Sequence, residues 1–100
     1  MNNYSVVISP GAQSDIRNSI HYYNQQQVGV GEKFLNDLSE DFCILGLNPY
    51  FEIRYAKVRC LPMKRFPFLI HFLIIENKKI VRVEAVIHTA MNPKWLQTEK

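Results

Sequence analysis

The sharpest pattern in the chain lies in residues 65–88. Residues 68–75 form an almost unbroken apolar run, Asn77, Lys78 and Lys79 are polar, and residues 80–88 alternate apolar and polar side chains. An apolar run, a polar break and a period-two run predict two strands joined by a tight turn. With Asn77 and Lys78 as a two-residue loop, Ile75 faces Ile80 and the other pairs follow by counting outward. One face of the hairpin then carries Phe68, Ile70, Phe72 and Ile74 beside Val81, Val83, Ala85 and Ile87, and this apolar face must be covered. The other carries Leu69, His71, Leu73 and Ile75 beside Ile80, Arg82, Glu84 and Val86, with His88 closing the row. That register sets His71 opposite Glu84, and an odd-length loop or a bulge would break it.

Upstream, residues 4–9 are short and β-branched and predict a first strand. Ser9 followed by Pro10 is a helix start, because the hydroxyl caps free N–H groups and proline is tolerated at the first helical position. Ala12, Ile16, Ile20 and Tyr23 place one apolar stripe on this helix, which should fade in the glutamines at 25–27. Gly29, Val30 and Gly31 predict a turn, with a second helix beginning near Glu32 whose apolar stripe is Phe34, Leu35, Leu38, Phe42 and Leu45. Gly46 is the expected C-terminal cap, and Asn48 with Pro49 ends the helix. Residues 50–55 fit either a strand or an ordered loop, and residues 56–63 read as a strand whose Pro62 suits an edge or a bulge. The order is strand, two helices, three strands. It predicts an α+β domain in which a helical hairpin packs on a small antiparallel sheet.

One hundred residues with 47% apolar content make one domain, spanning 1–100, with a small core. No apolar run reaches the roughly 18 residues of a membrane span, and the N-terminus lacks the layout of a signal peptide. A cytoplasmic protein with no membrane partner is expected. Cys43 and Cys60 fit no metal spacing and read as core or half-buried thiols, and no two histidines share a ligand spacing, so no metal and no cofactor are expected. The net charge of +3 conceals an asymmetry: residues 1–53 hold two basic against six acidic residues, and residues 54–100 hold ten against three. Basic charge concentrated on the sheet half suits a polyanion or an acidic partner as well as a plain solvated surface.

With the elements in place, the chain resembles the RelE/ParE superfamily of toxins from bacterial type II toxin–antitoxin systems, the group that includes plasmid stabilisation proteins. The likeness runs along nearly the whole chain. Ala12, Asp15, Ile16, Ile20, Tyr22 and Tyr23 look like that family's first helix. Asn48 and Pro49, then a basic strand leading through Arg65, Phe66, Pro67 and Phe68, match its middle, and His88 with Asn92, Pro93 and Trp95 is similar to its end. The resemblance implies a cognate antitoxin, a hetero-oligomer formed with it, and a target in translation or in DNA topology. In the branch that cuts mRNA in the ribosome, the chemistry is attack of a ribose 2′-hydroxyl on the adjacent phosphate, without a metal. It needs a proton acceptor, cations for the transition state and an acid for the leaving oxygen. Arg82, Glu84 and His88 would be its catalytic residues. The branch that poisons DNA gyrase needs a binding surface and no cleavage.

Two departures weigh against cleavage: Met91 stands where nucleases of the family often have arginine, and the last tyrosine is Tyr55, far from the C-terminus. Growth inhibition through DNA gyrase or an undefined target is therefore the first expectation, with mRNA cleavage second and an inactive antitoxin-binding relative third. Arg59, Lys64, Arg65 and Trp95 are the expected contacts to the target or to nucleic acid. Tyr22, Tyr23, Tyr50 and Phe51 exceed what so small a core encloses and are the expected antitoxin surface. His71 reads as a half-buried histidine paired to Glu84, and His21 as a surface residue.

Overall fold

Ser9 starts the first helix as its chemistry requires: its hydroxyl oxygen accepts the N–H of Ala12 at 3.2 Å, and Pro10 takes the first helical position. In the computed structural model, which describes residues 3–90, the elements are β1 (Ser5–Ile8), α1 (Pro10–Gln26), α2 (Val30–Leu47), β2 (Ile53–Tyr55), β3 (Val58–Pro62), β4 (Phe68–Ile75) and β5 (Ile80–His88). A 3-10 turn, Glu76–Lys78, joins β4 to β5. The five strands form one sheet in the order β1-β5-β4-β3-β2. Four of them pair antiparallel as a meander, the expected three strands with the short β2 added at the edge. β1 runs parallel to β5 at the edge, so the sheet is mixed.

Two glycines decide how the helices join and seat. Gly29 has φ +94, the left-handed turn that lets α2 begin at Val30, two residues before the expected start. Gly46 is not the C-terminal cap. It lies inside α2, which runs to Leu47 and is capped by Asn48. A Cβ at Gly46 would sit 3.2 Å from the carbonyl oxygen of Tyr4, whose N–H donates to the Gly46 carbonyl at 2.8 Å. The missing side chain lets the end of α2 lie directly on β1.

Both helices cover one face of the sheet. Ala12 and Ile16 of α1 and Phe34, Leu38 and Leu45 of α2 meet Leu61, Met63, Phe68, Ile70, Phe72, Val81, Val83 and Val86. Phe34 and Phe72 have no exposure, and burying one such ring stabilises the fold by about 1.5–3 kcal/mol. Of the two thiols, Cys60 is buried and Cys43 is exposed on α2, against the expectation that both would be enclosed. No helix among the described residues is long and apolar enough to cross a membrane.

The hairpin register holds near the turn and then slips. Ile75 pairs with Ile80, and the count continues to Phe72 with Val83, but His71 then pairs with Ala85. Glu84 is the extra residue of a β-bulge, so side chains beyond it change faces. Val86 enters the core in place of the expected Ala85 and Ile87, and His88 moves to the helix side beside Phe68. The pairing of His71 with Glu84 is lost. The bulge lies just past the end of β1, whose last pair is Ile8 with Val83, so among the described residues no strand pairs with 84–88 on that side. α1 supplies the missing partners: the Ser9 hydroxyl donates to the Glu84 carbonyl at 3.2 Å, and an Asp15 carboxylate oxygen accepts the Val86 N–H at 3.1 Å.

Candidate functional site

The bulge separates the three residues that cleavage chemistry would need together. Arg82 and Glu84 stay on the face turned away from the helices, where they hydrogen-bond each other as an ion pair. His88 faces the helix side, its ring 5.4 Å from that of Phe68, and its Nδ1 accepts the Ala90 N–H at 3.0 Å. One phosphate cannot be reached from both faces of a sheet.

The basic residues expected to join Arg82 also point elsewhere. Arg59 pairs with Phe72 and so lies on the helix side, where its guanidinium donates to the Phe51 carbonyl at 2.7 Å and stacks 5.3 Å from the centre of the Tyr50 ring. Arg65 lies 3.6 Å from the Asp37 carboxylate of α2. Lys64 acts on Asp41 of the same helix, whose carboxyl is pushed up by burial and by Asp37 and Glu40, and is pulled down by Lys64. Trp95 lies outside the described residues.

On the second face, His71 is buried, with Nδ1 2.8 Å from the Tyr55 hydroxyl and 3.4 Å from the Cys60 thiol. Burial lowers the pKa of His71 and raises that of Cys60. Both shifts favour the neutral forms, so the pair is suited to packing rather than to nucleophilic chemistry.

The four aromatic residues fall at opposite ends of β4. Eight residues at about 3.3 Å each put those ends roughly 25 Å apart. At the turn end, the Tyr4 and Tyr50 hydroxyls are 2.6 Å apart and both donate to the Glu76 carboxylate, while the Lys79 ammonium lies 4.9 Å from the Tyr4 ring centre. These bonds push the Tyr50 hydroxyl far above its ordinary pKa and hold Glu76 below its own, first through their mutual hydrogen bond. Phe51 lies behind them against Phe72.

At the other end, Tyr23 stacks on Phe34, Phe66 and Phe68, with centroids 5.6, 5.0 and 6.2 Å away, and exposed Tyr22 meets it edge-on at 5.2 Å. Here α1 and the unpaired edge of β5 leave a cleft of about 470 Å³, lined by Asp15, Ser19, Tyr22, Tyr23, Phe68 and His88 among others. Asp15 is half-buried at its base. Desolvation raises the Asp15 pKa, and the bond from Val86 opposes it in part. The expected site residues omitted Asp15 and Ser19. A signal for them is present: Asp15, Ser19 and Tyr22 recur at helical spacing along the border of the α1 apolar stripe, where a polar side chain meets the sheet edge.

Among the described residues, no group of His, Cys, Asp or Glu is placed to hold a metal ion. The arrangement offers an aromatic cleft with an acidic base at one end of the sheet and a closed polar clasp at the other.

Comparison with known proteins is consistent along the chain. Residues 6–93 match the family model described as the ParE toxin of the type II toxin–antitoxin system parDE. A structure of the chromosomal ParDE toxin–antitoxin system from P. aeruginosa superposes with a TM-score of 0.76 at 17% identity, covering 88% of this chain and 98% of that one. The RelBE2 toxin–antitoxin complex from Mycobacterium tuberculosis superposes with a TM-score of 0.53 at 18% identity, covering 86% of this chain and 98% of that one. No curated protein matches the chain in sequence.

Proposed function

Because this chain belongs to the family of ParE toxins of type II toxin–antitoxin systems, we propose that it arrests growth by gripping a protein target, DNA gyrase, and not by cutting RNA. The observation that carries this is the dispersal of the cleavage groups. Arg82 and Glu84 neutralise each other on one face, and His88 sits on the other. Arg59 and Arg65 are engaged with Phe51 and Asp37. Attack by a 2′-hydroxyl needs a base, an acid and cations converging on one phosphate. Binding needs only a shaped surface. Arg59, Lys64, Arg65 and Trp95 are the proposed contacts to the target.

A cognate antitoxin holds the chain inactive in this reading. Both solved relatives are of toxin–antitoxin systems, which supports such a partner. Its contacts are Tyr22 and Tyr23 at the cleft, with Tyr50 and Phe51 as a second patch for a segment long enough to follow the hairpin.

The test pairs two assays on the same protein. DNA supercoiling by gyrase should stop as the chain is added, while primer extension on mRNA in stalled ribosomes should show no new cuts. Toxicity should survive Arg82→Ala, Glu84→Ala and His88→Ala, with antitoxin binding intact in the first two, which lie away from the cleft. Cuts confined to the A-site codon, abolished by those substitutions, would establish the ribosome-dependent endoribonuclease instead. A chain that causes no growth arrest when expressed alone would be an inactive relative.

A further inference from the structure

The cleft between α1 and β5 specifies one side chain of the partner, an inference that rests on the antitoxin reading above. Four carboxylates of the described chain are buried or half-buried. Asp37 faces Arg65, Asp41 has Lys64 nearby, and Glu84 is bound to Arg82. Asp15 has no cation: Oδ2 takes the Val86 N–H, and the carboxylate otherwise faces the cleft. A carboxylate partly withdrawn from water without a counter-charge leaves free energy for an incoming cation to recover.

The rest of the cleft fits that cation's stem. Tyr22, Tyr23 and Phe68 line the cleft together with Asp15, their rings packed on one another. The Ser19 hydroxyl donates to the Asp15 carbonyl at 2.9 Å and keeps lone pairs free to accept. An aliphatic stem against aromatic walls with a charged head on a carboxylate is how lysine and arginine are half-buried.

We propose that the cleft receives a lysine or arginine side chain of the antitoxin, its cationic head on Asp15 and its stem between Tyr22, Tyr23 and Phe68. This contact has the opposite sign to the rest of the expected interface. Ten basic against three acidic residues in 54–100 call for an acidic partner, so a basic anchor at the acidic helical half fixes which end of the antitoxin segment lies where. Contacts of alternating sign reject a reversed segment.

The test measures the dissociation constant of the full chain for its antitoxin, with Asp15→Asn as the variant. Asparagine keeps the shape of the side chain and an oxygen for the Val86 N–H, and thermal melting confirms the fold. Affinity should fall about 10- to 100-fold, and changing one antitoxin lysine or arginine to glutamine should give the same loss alone and none on top of Asp15→Asn. As an independent probe, n-butylguanidinium should shift the Val86 amide resonance of the wild-type chain and leave that of Asp15→Asn in place. Equal affinity of wild type and Asp15→Asn overturns the proposal alone. A wild-type chain that captures no antitoxin overturns the toxin reading and this proposal with it.

Discussion

The two ends of the β4–β5 hairpin carry similar residues and use them differently. At the turn end, two tyrosines, a glutamate, an arginine and a lysine are bound to one another: Glu76 accepts from Tyr4 and Tyr50, and Arg59 and Lys79 lie over the two rings. At the cleft end, two tyrosines, an aspartate and a histidine line a cleft, and among the described residues the aspartate has one backbone N–H and no cation. A satisfied polar network spends its interactions on holding the α2–β2 connection to the sheet. An acid left half-buried without a counter-charge adds little to stability and keeps its interaction for a partner. The same residue types are therefore bound to one another at one end and leave a carboxylate for a partner's charge at the other.

Substitutions can break this contrast in order of effect. Phe34→Ala removes the ring on which Tyr23, Phe66 and Phe68 rest, and should cost about 3–5 kcal/mol in a urea melt. A loss under about 1 kcal/mol would mean that the cleft end is not built on the core.

Asp15→Asn should do the reverse, weakening the antitoxin complex without destabilising the free chain. The sign follows from the raised pKa. The folded chain holds the Asp15 proton more readily than the unfolded chain, so the stability contributed by the protonated acid is lost as pH rises through the folded value. Asparagine removes that dependence. Urea melts of both proteins should diverge in favour of Asp15→Asn between acid and neutral pH.

Tyr4→Phe should cost about 0.5–1.5 kcal/mol by unmaking the hydroxyl bonds of the clasp, and should change antitoxin affinity far less than Asp15→Asn does. Glu76 gives the clasp a pH limit of opposite sign. Its carboxyl is held down by Tyr50, so its contribution is present at neutral pH and lost as pH falls through the depressed value. Glu76→Gln should flatten that acid limb of the stability curve.

Smallest of all, Arg82→Ala and Glu84→Ala should each change stability by about 0–1 kcal/mol, as for surface ion pairs. Their effect on toxicity should also be slight. A strong loss of toxicity from either would move the functional surface to the second face.

Local chemistry was legible along the chain. Ser9 and Pro10 start α1, Asn48 and Pro49 stop α2, and the helical stripes reach the core through Ala12, Ile16, Phe34, Leu38 and Leu45. The first four pairs of the hairpin are the counted ones. These features depend on neighbours within a turn of helix or across a tight loop, where spacing alone decides which side chains meet. The same locality, followed along nearly the whole chain, made the family recognisable, and residues 6–93 match its model.

What the sequence could not decide depends on groups far apart in the chain. The bulge at Glu84 arises where β1 ends beside β5 and α1 takes over the strand's edge through Ser9 and Asp15, some seventy residues away. Counting outward from the turn has no access to that contact, and one extra residue in a period-two element reverses every later side chain. Counting therefore puts His88 on the wrong face, and spacing along the chain does not bring Arg65 to Asp37 of α2. Periodicity determined the elements and their apolar faces, because those follow from backbone repeat and burial. Only the tertiary structure decided which charges neutralise each other and which carboxylate is left at the base of a cleft, because charge pairing depends on distance in space.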